Sequence, residues 1–90
     1  MNVDQILQER QHTHGPFADG AAVMQKMKSK LRENPNWPDL ASDQKEALEM
    51  ICHKIGRIIN GNPNTFDHWA DIAGYATLVA NRLGSPKEIV

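Results

Sequence analysis

The chain has 90 residues, a formal net charge of −1, and 23% charged and 40% hydrophobic residues. That length makes one small domain, and so short a domain buries only about 60% of the surface its unfolded chain exposes, so a lone copy is marginal. The near-zero charge excludes a global basic field for nucleic acid, and no apolar run approaches the ~20 residues of a membrane span.

A helix is predicted over residues 3–11, with Val3, Ile6, Leu7 and Arg10 on one face and Asp4 in the first turn. His12-Thr13-His14-Gly15-Pro16 is expected to end it. A second helix is predicted over 17–33, with Phe17, Ala21, Met24, Lys28 and Leu31 on a stripe and Met27 beside it; Gly20 weakens its first turn. Pro35 and Pro38, flanking Trp37, stop it.

The third segment, 43–60, has Ser42 as its expected N-cap and Asp43 to complement the helix dipole. Ala47, Leu48, Ile51, Cys52, Ile55, Ile58 and Ile59 recur at three- and four-residue intervals, and Gly61 is placed for a left-handed cap. The fourth, 66–83, starts after Thr65 and presents Trp69, Ile72, Ala73, Ala76, Val79, Ala80 and Leu83, with Gly84 and Pro86 to close it. No stretch alternates with period two, so no strand is expected. The fold class is therefore all-α, a four-helix bundle built on a helical hairpin. The stripe on the third segment and the small residues Ala70, Ala73, Gly74 and Ala76 exceed what one small chain covers, so a homodimer is expected to complete it.

The loop Asn60-Gly61-Asn62-Pro63-Asn64 makes the last two helices antiparallel neighbours. A hairpin centred there sets Lys54 level with Asp71 and Arg57 level with His68. Glu49 stands about 7–8 Å along the axis from the level of Asp71, and Glu46 a further turn away. Two readings of these charges stand side by side. Glu49 and Asp71, helped by Glu46 and Asp67, can share Mg²⁺, which takes hard oxygen ligands and substrate phosphates, with Lys54, Arg57 and Tyr75 reaching a nucleoside triphosphate. Alternatively Lys54 pairs with Asp71 across the hairpin, Asp67 serves the dipole, and Glu46 and Glu49 are solvated.

The other reactive side chains point less far. His12, His14, His53 and His68 show no zinc spacing. Cys52 falls on the apolar stripe and reads as core; as the single cysteine it leaves no intrachain disulfide, which fits a reducing cytoplasm. No charged-then-apolar leader stands at the start, so secretion is not expected. Trp37 and Trp69 read as hydrophobic anchors, with base stacking by Trp37 the alternative.

The strings from Ala47 to Ile58 and from Asp67 to Leu78, with Glu9-Arg10 and His14 to Phe17, resemble a phage and prophage family of small uncharacterised proteins. That family is distantly similar to the MazG-like all-α nucleoside triphosphate pyrophosphohydrolases, oligomeric helical bundles that release a monophosphate and pyrophosphate. Those enzymes hold Mg²⁺ through a Glu-x-x-Glu pair on one helix and a Glu-x-x-Asp pair on the next. The resemblance sets Glu46 and Glu49 on the first pair and Asp71 on the last acid. His68 stands at the third acid, with Asp67 one residue earlier. It implies a Mg-dependent pyrophosphohydrolase acting through Glu49 and Asp71, or a relative that kept the bundle as a dimeric interaction module.

Overall fold

The computed structural model describes residues 2–84, and Pro86 lies outside them. Four helices follow one another: α1 (Val3–His14), α2 (Phe17–Glu33), α3 (Ser42–Asn60) and α4 (Phe66–Arg82), with a short 3₁₀ turn at Trp37–Asp39. Among the described residues there is no strand. The long α3 is the central strut. It packs against α2 and α4 along its length and meets α1 near its C-terminal end.

α1 runs a turn further than expected. Its start is held by a reciprocal cap, the Asn2 side chain accepting from the Gln5 N–H at 2.9 Å and the Gln5 side chain accepting from the Asn2 N–H at 3.1 Å. It ends only at Gly15, whose φ of 77° lies in the left-handed region. His12, Thr13 and His14 are therefore helical, and the Thr13 hydroxyl donates to the Arg10 carbonyl at 3.2 Å.

The hairpin loop is the docking point for the α1–α2 corner. The Asn60 side-chain amide donates to the carbonyls of His14 at 3.1 Å and Pro16 at 2.9 Å, and the Asn62 N–H donates to Thr13 at 3.0 Å. This corrects the expectation for Gly61. Its φ is −121°, so no left-handed cap forms. Glycine is needed because a Cβ there would run into the Thr13 carbonyl and the His14 backbone. The N-cap of α3 is also corrected: the helix starts at Ser42 after Ala41, whose N–H is taken up by the Gln44 side chain at 2.9 Å.

The core is thin and uses small residues. Gly20 and Gly56 are buried where α2 crosses α3, and a Cβ on Gly56 would lie 2.5 Å from Met24 Cγ. The close helix approach thus falls there. At Gly74 on α4 nothing lies within 4 Å. Phe17, expected on the α2 stripe, is 85% exposed, and Leu48, Ile59, Trp69 and Leu83 are also outside the core. α4 turns His68, Ile72, Tyr75 and Val79 toward the half-buried side, a stripe at four- and three-residue steps. Trp69 instead pins the loop, its indole N–H donating to the Pro63 carbonyl at 2.8 Å.

Candidate functional site

α3 distributes its charged side chains to two neighbours. Glu49 faces α2 and is bound by the Arg32 guanidinium. Lys54 is buried, and its ammonium lies 2.9 Å from the Asp71 carboxylate on α4. A buried ammonium needs such a partner because its desolvation is costly. The Lys54 hydrogen bond in turn holds the Asp71 carboxyl below its ordinary value. At the far end of the hairpin Asp43 takes Arg82, whose hydrogen bond lowers the aspartate and raises the arginine.

The residues expected to share a cation are therefore divided. Glu49 is tied to α2 and Asp71 to α3. Glu46 is exposed on the first half of α3, and Asp67 is exposed in the first turn of α4, where it suits the helix dipole. Among the described residues no three His, Cys, Asp or Glu side chains converge as metal ligands. In one copy of the chain these residues do not fit Mg²⁺, because two of the four carboxylates already neutralise bases on different helices. Tyr75 lies on α4 beside Asp71, along a shallow groove with Ala70 and Leu78.

Arg57 faces elsewhere. It lines a cleft between α1, α2 and α3 together with Arg10, His14 and His53. Burial first, then the positive field of Arg57, His68, Lys54 and Arg10, brings the His14 imidazole down to about 4 from its ordinary 6.5. Burial also lowers His53, helped by Arg57, Lys28 and Lys54. His68 is only 3% exposed; its ring centre is 4.9 Å from that of His14, and its Nε2 has no partner among the described residues.

Arg10, His14 and His53 were not among the residues expected to act together. The signal was nonetheless present: Arg10 and His14, and again His53 and Arg57, are four apart on their helices and so share a face. The fold sets those two basic faces against each other. Cys52 is buried, and burial raises its thiol pKa, so it behaves as core rather than as a nucleophile.

No helix among the described residues is long and apolar enough to cross a membrane. Neither the comparison with curated proteins nor that with solved structures gives a match. Residues 2–83 match the family described as a domain of unknown function, DUF6378. That match spans all four helices and their connections, and the chain belongs to the DUF6378 family.

Proposed function

We propose that the chain works as a non-catalytic helical module that pairs with a second copy of itself across α4. The observation that carries this reading is the outer face of that helix. Ala70, Ala73, Gly74, Tyr75, Thr77 and Leu78 line a shallow groove of about 540 Å³, and Leu78 is 67% exposed. A two-fold axis makes one patch meet itself, so an exposed apolar side chain beside a small residue can pack against its symmetry mate. Leu78 is that side chain, and at Gly74, one turn earlier on α4, nothing of the chain itself lies within 4 Å of an added Cβ. Pairing there removes Leu78 and its apolar neighbours from water, at about 25 cal/mol per Å². The ion pairs of Glu49 and Asp71 support a structural use of the carboxylates.

Sedimentation equilibrium tests the pairing. The wild-type chain is expected to be a dimer at micromolar concentration and Leu78→Glu a helical monomer. A wild-type chain that stays monomeric overturns it.

The second reading is a Mg-dependent nucleoside triphosphate pyrophosphohydrolase of cytoplasmic, phage or prophage type. It rests on the resemblance to MazG-like enzymes and on Glu46 and Asp67, which carry no ion pair among the described residues. It requires Glu49 and Asp71 to leave Arg32 and Lys54. Pyrophosphate release from a panel of nucleoside triphosphates, with Mg²⁺ or Mn²⁺ and Asp71→Asn as control, separates the two. Equal background from both proteins supports the module; release abolished by the substitution establishes the hydrolase.

A further inference from the structure

The cleft between α1, α2 and α3 has the composition of an anion site. It measures about 550 Å³, within the range of roughly 300–1,000 Å³ that small-molecule sites occupy. Arg10 and His14 enter it from α1, His53 and Arg57 from α3, and no carboxylate lines it. Among the described residues neither guanidinium has a salt-bridge partner. Gathering uncompensated cations in a concave, partly apolar site is electrostatically unfavourable, and an anion relieves it. Burial first, and then that positive field, hold the His14 imidazole below its ordinary value.

The remaining walls are apolar. Leu7 and Phe17 stand at the cleft, both well exposed, and Met24 lies deeper as part of the core. Exposed side chains of this size beside a cationic cluster suit a ligand with a charged head and a greasy body. Two arginines line this one cleft, and each planar guanidinium can take phosphate oxygens through paired N–H groups in a way that a lysine does not.

We propose that this cleft binds a phosphate monoester carrying a compact apolar or aromatic body. Arg10 and Arg57 take the phosphate oxygens, the His14 and His53 rings border the phosphate, and Leu7, Phe17 and Met24 receive the body. The site uses none of the carboxylates discussed for Mg²⁺ and none of the α4 groove, so it needs neither a metal nor a second copy.

Phenyl phosphate, inorganic phosphate and phenol are the probes, titrated into the full chain at neutral pH while the His14 and His53 ring signals and the Arg10 and Arg57 side-chain signals are followed by NMR. Phenyl phosphate is expected to saturate all four sets, binding at least about tenfold more tightly than phosphate or phenol alone. Arg10→Gln and Arg57→Gln are each expected to weaken it about tenfold, with Arg57→Lys intermediate, and Lys30→Gln, on the far end of α2, to leave it unchanged. Shifts that grow linearly without saturation in the wild-type chain overturn the proposal. So does equal binding by the folded arginine variants, or phenol binding as tightly as phenyl phosphate.

Discussion

Lys54 and Asp71 meet at 2.9 Å across the α3–α4 hairpin, and the two ends of that pair sit in different surroundings. The lysine side chain is 11% exposed and the aspartate 47%. Removing one partner is therefore not equivalent to removing the other. Asp71→Asn strands an ammonium that water barely reaches, whereas Lys54→Met leaves a carboxylate that water still solvates. Asp71→Asn is expected to lower Tm by several degrees and Lys54→Met by less. A double-mutant cycle by thermal denaturation checks this, with the double variant close to Lys54→Met.

A pH response arises close by, where α1 docks on the C-terminal half of α3. His14 titrates at about 4 in the fold against 6.5 when unperturbed. Between those values the unfolded chain binds the proton and the folded chain does not, so stability is full above about pH 6.5 and is lost as pH falls through about 4. The shift alone corresponds to about 3 kcal/mol, and solvent screening at a partly exposed ring brings the expected loss to about 1–2 kcal/mol. His53 shifts in the same direction and adds to it. Asp71 and Asp43, both lowered, begin to lose their contribution only below the ordinary carboxylate value of 3.8. Urea denaturation across this range should show the slope, and His14→Gln should flatten its part above pH 4.

The Lys54–Asp71 register was legible in the sequence because a short loop fixes which residues stand level on two antiparallel helices. Asp43–Arg82 follows from the same register. The fate of Glu49 was not legible, since its partner Arg32 comes from a helix whose rotation about α3 no spacing within the hairpin determines. The crossing of α2 on α3 was hidden for a related reason. Gly20 and Gly56 leave no apolar side chain to mark a stripe, yet it is their lack of a side chain that lets Met24 in. The basic cleft was written as two pairs at four-residue spacing, but only the fold shows that the pairs face each other.

Glycine substitutions separate the crowded helix face from the open one. Gly56→Ala gains about 1 kcal/mol of helix propensity but forces Met24 from its place, and overpacking of this kind costs about 1–3 kcal/mol. Net destabilisation is expected in urea. Gly74→Ala meets nothing in its own chain and should stabilise by about 0.5–1 kcal/mol. That gain is best read in the Leu78→Glu background, where pairing through α4 is removed.

Asn60 holds α1 and α2 to the hairpin through two carbonyls, at His14 and Pro16. α1 buries no residue of its own, so its position depends on this clamp, on the Asn62–Thr13 bond and on the contact of His14 with His68. Asn60→Ala removes both donors, at an expected cost of about 1–2 kcal/mol. The loss should be local. Amide hydrogen exchange is expected to quicken through α1 while α3 and α4 keep their protection, because a segment with few buried contacts opens below the global free energy. Since α1 carries Arg10 and His14, phenyl phosphate should protect its amides in the wild-type chain and do so less in Asn60→Ala. Exchange that rises equally in all four helices would instead assign Asn60 to the stability of the whole fold.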